Sequence, residues 1–582
     1  MATIIARPEP SRSSKEQVHL VALAHGRIML VLLLFVAVVL AMAGRMVWIG
    51  VAAGARVERS ASTVPVPHRA DIVDRNGVPL ARDIPGYAIS VRKDRLIGDR
   101  HALARALSRI FPDETEQHFY QILATGKSNW AYLRTRALPR EVAAVNALGE
   151  PGIEFPREPE RLYPQRALAA HLIGFTDRDG NGVLGAERAF NDRLLADQTR
   201  GTPLQLALDV RVQAALEDEL ARGVAAQGAK GAAAVVLDAT NGEVIAMASL
   251  PTFNPNHLEP LQLPDPLPPE LLGKDGKLDP NRIPCDMSPR CDRVVQALYE
   301  LGSTFKPLSI GAAMDAGVVT DLARTWDATK PLVIDGRTIH DDHALGRWIN
   351  VPETLVHSSN IATARIADAM GPQPLQKLFR ELEFNQRMSF ELRERAYPLW
   401  PREWSRIANM TVAYGHGIAV TPLHLAAAYA ALVNGGVWHP TTILKRHPGE
   451  QIASRRVFSE QTSARMRQLL RMIVLSGTGR SADAPGYRVG GKTGSAEKPS
   501  NGGYARRSIV ATFAAAFPMD SPRYVVLVMM DEPQGFARTA AYTSAPVVSA
   551  FVSRAAPLLG VFPEPNRDID TSALMPLLHE GG

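Results

Sequence analysis

The sequence predicts an α+β protein of two folded domains carried on one N-terminal apolar helix. Three features make that prediction. Residues Ile28 to Gly44 carry no charge, short strand-like runs alternate with turn clusters over roughly the first third after them, and farther on strand-like segments at both ends bracket a long helical stretch. At 582 residues, 46% hydrophobic and 21% charged, the chain has enough apolar material for two or three real cores, and disorder is excluded for most of it.

The apolar run reads IMLVLLLFVAVVLAMAG, behind a polar leader with Arg7, Arg12, Lys15 and Arg27. As a helix it spans about 26 Å, and Met46 to Ile49 lengthen it if Arg45 snorkels, which gives an anchor over 28–50. The basic leader, 1–27, places the N-terminus in the cytoplasm. Ala41-Met42-Ala43 imitates a signal-peptidase site, but a hydrophobic region longer than about 15 residues favours a retained anchor. On either reading everything after about residue 50 is exported.

A first domain is expected over 56–225. Near its start Asn76-Gly77 lies between two apolar runs, which is hairpin chemistry, and Arg100 to Phe111 has a helical pattern. Asp209 to Gln227 is helical in period. Ala232 to Ala239 and Gly242 to Ala248 then flank Thr240-Asn241-Gly242 as a second hairpin, opening a domain over 226–560. Pro251 to Pro289 is too rich in proline for a helix or a central strand and is expected to be a long loop. Helical patterns fill Ser303 to Leu475, and Ser508 to Phe517 and Tyr524 to Met530 supply two more strands before a tail over 561–582.

The net charge of +6 is spread along the chain with no basic run interleaved with aromatics, so no nucleic-acid partner is expected. Cys285 and Cys291 are too few for a cysteine metal site. Outside the cytoplasm they can close a small loop, the alternative being two free thiols. Asp177 to Gly182 imitates the start of an EF-hand, but position 12 is Arg188 where a bidentate Glu is required, and a plain turn explains the glycines. The histidines show no ligand spacing, His416 is read as packing, and neither metal nor cofactor is expected.

Acyl transfer by serine requires a hydroxyl, a base, and backbone donors for the oxyanion. If a helix begins near Ser303, Lys306 lies on the same face within reach of the hydroxyl, Pro307 is tolerated in the first turn, and the helix start adds a positive dipole. Ser-x-x-Lys alone says little, since Ser90/Lys93 and Ser495/Lys498 also fit it. Company is what distinguishes Ser303. Ser358-Ser359-Asn360 is the only Ser-x-Asn in the chain; its plain reading is a helix cap, its functional one a proton relay by Ser358 and a substrate-amide donor in Asn360. Lys492-Thr493-Gly494 is the only Lys-[Ser/Thr]-Gly. There Gly494 would let a substrate backbone lie on a strand edge, Lys492 and Thr493 would hold a carboxylate, and a second ammonium would lower the pKa of Lys306.

The ordered set Ser303/Lys306, Ser358/Asn360 and Lys492-Thr493-Gly494 resembles the three-motif signature of penicillin-binding proteins and serine β-lactamases. Val64 to Ala81, Arg161 to Pro164, Gly182 to Glu187 and Tyr414 to Leu423 resemble class B penicillin-binding proteins, and Tyr414 to Gly417 with Lys492 to Glu497 resemble the division-specific, septal D,D-transpeptidase. The resemblance spans about residues 28–555 and implies a transpeptidase domain, an antiparallel sheet flanked by helices, on an elongated pedestal of the dimerisation type. It implies that Ser303 attacks the penultimate D-Ala of a peptidoglycan stem peptide, that the amides of Ser303 and Ser495 form the oxyanion hole, and that β-lactams trap the same serine. Implied partners are stem peptides, a membrane glycosyltransferase and other division proteins; the implied location is the bacterial inner membrane, single-pass, catalytic domain periplasmic. Leu301 replaces a usual proline, Ala70 a usual glycine, and the Pro-rich loop is longer than usual. An elongation-specific transpeptidase, a β-lactamase or carboxypeptidase using the same motifs, and a non-catalytic scaffold are the alternatives; the first domain and retained anchor argue against a secreted hydrolase, and Lys306 beside Ser303 against a scaffold.

Overall fold

The computed structural model describes residues 14–60, 69–125, 128–177, 179–196, 201–273, 276, 278, 283–500 and 503–578. Residues 1–67 form one unit and 68–582 a second, compact one. The first is the helix Ser14–Ser60, within which His25–Met46 is long and apolar enough to cross a membrane. Residues 1–13 of the expected leader lie outside the described residues.

The second unit opens with the hairpin expected at Asn76-Gly77. Strand Ile72–Val73 pairs with Pro79–Arg92, the turn sits on Gly77 at φ +85°, and Asp74 Oδ1 accepts the amides of Asn76 at 2.7 Å and Val78 at 2.8 Å. Trp130–Ala137 and Arg157–Leu162 also pair with Pro79–Arg92, and helices Arg100–Ile110 and Glu116–Ala124 bury Leu103, Leu107, Phe119 and Leu123 in a small core of their own. A buried ion network ties this domain together. Glu187, wholly buried, accepts from Arg69 Nε and from Arg161 Nε at 2.7 Å, and Arg161 Nη1 reaches Asp83 at 3.0 Å.

The main sheet is antiparallel, in the order Gly490–Ser500, Gly503–Phe517, Tyr524–Asp531, Gly231–Asp238, Val244–Leu250. Strands from both ends of the domain thus meet at its centre, and every residue of Gly231–Asp238 and Tyr524–Asp531 is buried, as strands covered on both faces require. One face packs on Pro422–Val433, itself buried throughout, and the other on Val210–Gln227 and Ser544–Ala555. Val212, Leu216 and Leu220 of Val210–Gln227, a helix N-capped by Asp209, insert under this sheet.

One correction concerns the middle of the chain. The stretch 303–475 is not filled by helices: Leu332–Ile334 and Arg337–Ile339 form a hairpin about Asp335 (φ +48°) and Gly336 (φ +75°), and Trp348–Ile349 pairs with Trp326–Asp327. An Asp-Gly pair between apolar residues was the available signal. The Pro-rich segment is a loop seated against the first domain. Asn256 clamps Tyr163 through both backbone groups (2.9 and 2.8 Å), and His171 Nε2 meets Pro289 O at 2.8 Å. Cys285 and Cys291 are disulfide-bonded.

Replacing Glu187 with Ala leaves two buried guanidiniums without their common carboxylate and is expected to cost about 3–5 kcal/mol. The shift of the urea midpoint of the detergent-solubilised chain measures it; an unchanged midpoint would show the network to be dispensable.

Candidate active site

Gly302–Phe305 form a 3₁₀ turn that runs directly into the helix Lys306–Asp315, with Pro307 in its first turn, where no amide donor is needed. The turn is gripped from two sides. A Cβ on Gly494 would lie 2.3 Å from Leu301 O, and one on Gly415 2.2 Å from Gly302 O, so only glycines admit this approach of the edge strand and of the Tyr414–Gly417 segment. Sequence reading gives Gly494 a different reason, a substrate backbone on the strand edge. From below, Tyr429 on the buried helix Pro422–Val433 donates its hydroxyl to Thr304 O at 2.8 Å. Ser303 is left half-buried, open to the cleft.

Ser358 lies between helices Val351–Val356 and Asn360–Met370 in the left-handed region, φ +58°, a conformation a non-glycine residue keeps only where its surroundings hold it. There its hydroxyl accepts from Lys306 Nζ at 3.1 Å and from Lys492 Nζ at 3.0 Å. Lys306 also donates to the Ser358 carbonyl, and Lys492 to Thr493 O at 3.0 Å and Thr493 Oγ1 at 3.1 Å. Sequence spacing aims Lys306 at Ser303; in the structure its ammonium hydrogen bonds run to Ser358. Thr493 Oγ1 meets Thr478 Oγ1 at 2.8 Å, and Ser495 Oγ accepts from Ala540 N at 3.2 Å.

Both lysines are fully buried. Burial pushes Lys306 down to about 7, with Asp341 and Asp342 pulling the other way. Lys492 falls well below the usual lysine range, first through burial and then through repulsion by Lys306. His416, read from sequence as packing, is also within the electrostatic reach of Lys306; burial first, then that charge, lowers its pKa, and its ring lies edge-on to Tyr414.

Sequence reading missed Asp341. Its carboxylate accepts from Ser359 Oγ at 2.8 Å, Asn360 N at 2.5 Å and Ile361 N at 2.9 Å, closing the N-terminus of the Asn360–Met370 helix alongside the Ser359 cap. The Asn360 amide donates to His340 O at 2.9 Å. Asp341 follows the overlooked hairpin, so the signal that locates it is the Asp335-Gly336 turn.

Residues 232–553 match the family model of the penicillin-binding protein transpeptidase domain, and 65–193 that of the penicillin-binding protein dimerisation domain. The chain is 39% identical, over 85% of its length and 82% of the relative's, to a probable peptidoglycan D,D-transpeptidase FtsI of Caulobacter vibrioides. It is 29% identical to the peptidoglycan D,D-transpeptidase FtsI of Escherichia coli, over 85% of this chain and 84% of that one. Among solved structures, penicillin-binding protein 3 of Mycobacterium tuberculosis, complexed with aztreonam, shares the fold at TM-score 0.63 and 24% identity, covering 86% of this chain and 97% of that one.

Asp341→Ala strips three donors at the helix N-terminus of their acceptor and is expected to destabilise by about 1–3 kcal/mol. Asp342→Ala, at an exposed neighbour, is expected to leave stability unchanged. Equal denaturation midpoints for the two variants would refute this account of Asp341.

Proposed function

Since this chain belongs to the penicillin-binding protein transpeptidase family, we propose that it cross-links peptidoglycan stem peptides through an acyl-enzyme on Ser303, in the septal wall of a dividing cell. The observation that carries the reading is one hydroxyl, Ser358 Oγ, accepting from both Lys306 (3.1 Å) and Lys492 (3.0 Å).

Proton bookkeeping follows from donor counts. A neutral lysine amine has two N–H bonds and one lone pair. With its N–H bonds spent on the carbonyl and hydroxyl of Ser358, Lys306 has the lone pair left for the Ser303 hydroxyl. Ser303 Oγ then attacks the carbonyl carbon of the penultimate D-Ala as its proton passes to Lys306. Ser358, already accepting from two ammonium groups, directs its own O–H into the cleft and hands a proton to the departing D-Ala nitrogen as the C–N bond breaks, refilled from Lys306. An amine of a second stem attacks the ester, its proton returns by the same path, and Ser303 is released with its hydroxyl restored. Amides of Ser303 and Ser495 hold the oxyanion, and Lys492 with Thr493 takes the substrate carboxylate, whose charge raises the Lys492 pKa again. Gly494 seats the strand against the turn, and Asn360 orients the stem amide once it leaves His340 O. A β-lactam acylates Ser303 by opening its ring, so its leaving nitrogen stays tethered.

The helix His25–Met46 supports a single-pass anchor in the inner membrane, N-terminus in the cytoplasm and catalytic domain in the periplasm. We assign the first domain, expected as a pedestal, to contact with a membrane glycosyltransferase and other division proteins.

Labelled penicillin is expected to form a stable adduct on Ser303. Ser303→Ala lowers adduct formation at least about a thousandfold. Because the neutral Lys306 amine is the base, acylation rises as pH climbs through about 7 and levels above it. Rapid turnover of the penicillin, or a rate that falls across that range, would overturn the assignment.

A further inference from the structure

Behind the cleft, the chain end does something its sequence does not announce. After the helix Ser544–Ala555 and a turn at Pro557–Leu559, residues 561–578 run along the surface of the catalytic domain and are fastened to it at three places. At the first, Glu564 N donates to Gly486 O at 2.9 Å, and Arg567 pairs with Asp520 at 2.5 Å. At the second, Arg471, only 6% exposed, grips Asp568 (2.7 Å from Nη2) while its Nη1 donates to Val489 O at 2.8 Å. At the third, Asn350, 3% exposed, donates its side-chain amide to Leu577 O at 2.6 Å, beside the buried Leu574.

The third fastening lies at the head of the helix that leads to Ser358, and the second, through Arg471 on the helix Glu460–Ser476, reaches the residue before the strand of Lys492. Val489 immediately precedes the Gly490–Ser500 strand that carries Lys492. Asn350 is the N-cap of Val351–Val356, the helix that ends one residue before Ser358 in the chain, at His357, and whose Thr354 carbonyl accepts from Ser359 N at 3.0 Å. A displacement of either element changes the distance between Ser358 Oγ and Lys492 Nζ, now 3.0 Å. We propose that residues 561–578 are a brace that sets the Ser358–Lys492 geometry, with Asn350 and Arg471 as positioning residues for acyl transfer. The proposal rests on the acyl-transfer reading above and adds to it a part of the chain outside all three motifs.

Asn350→Asp tests the brace while keeping the acceptor that caps the helix. The retained Oδ1 still caps Glu353 N, at 3.0 Å in the wild type, while the amide that held Leu577 O becomes a carboxylate oxygen facing that carbonyl. Expected is an acylation step by fluorescent penicillin slowed about tenfold at saturation, with the concentration for half-saturation unchanged. The pH midpoint of acylation also moves from its wild-type position, which a loss of stability alone would not produce. Arg471→Lys, which keeps the charge but not the fork on Asp568 and Val489, is expected to act in the same direction, and a chain ending at residue 560 to regain rate when a peptide of residues 561–578 is added. If the shortened chain does not fold, Asn350→Asp decides alone. Wild-type rates and pH profile in that variant, or a slowing that only tracks its unfolded fraction, overturn the brace; failure of the wild-type chain to label at all would overturn acyl transfer instead.

Discussion

Two buried ammonium groups converge on one serine oxygen, and the rest of the catalytic domain is arranged around the cost of keeping them there. Lys306 Nζ and Lys492 Nζ each lie about 3 Å from Ser358 Oγ, hence no more than about 6 Å apart, where two unit charges repel by about 3 kcal/mol at an effective dielectric of 20. Desolvation adds to that repulsion for both. The pair is therefore stable with one amine neutral; Asp341 and Asp342 favour the charged form of Lys306, Asp342 favours that of Lys492 as well, and an anionic substrate would add to the pull on Lys492. Arrival of substrate charge at Lys492 thus makes the neutral form of Lys306, the base, the cheaper one.

Such an arrangement relaxes unless rigid elements oppose it. Lys492 rides on the edge strand of a sheet whose inner strands are buried on both faces, and the strand is pressed on the nucleophile turn because Gly494 has no side chain. Ser358 is kept in the left-handed region by the helices on either side, one closed by the Asn350–Glu353 capping box, the other by Ser359 and Asp341. None of these supports touches the reacting atoms, yet each fixes a coordinate of the two-lysine contact.

Local chemistry was legible in the sequence; cross-chain geometry was not. The hairpins at Asn76-Gly77 and Thr240-Asn241-Gly242, the helix after Asp209, and the three motifs could be read because each is encoded over a few neighbouring residues. Periodicity shows that the helix after Asp209 exists but not that it packs on Gly231–Asp238 and Val244–Leu250 and against Ser544–Ala555, more than 300 residues downstream. Asp341 escaped because a short hairpin was absorbed into a helical pattern, and nothing in periodicity tells that its carboxylate turns back 18 residues later onto Ser359. Spacing along a helix puts Lys306 beside Ser303, but it does not reveal the hydrogen bonds its ammonium makes to Ser358, 52 positions away.

The distribution of exposure bears on why the acyl group is handed to an amine. Ser303 is half-buried while both lysines are sealed. A water molecule attacking the ester has to be activated by a group with a free lone pair. Asp341 is turned to Ser359 and to two backbone amides, while the amine of Lys306, its N–H bonds held by Ser358, offers its lone pair to either nucleophile. An attacking amine needs less help, being nucleophilic without prior deprotonation, and surrenders its proton only as the new bond forms. With one base serving either nucleophile, water, which must lose its proton before it attacks, falls behind the amine of the neighbouring strand.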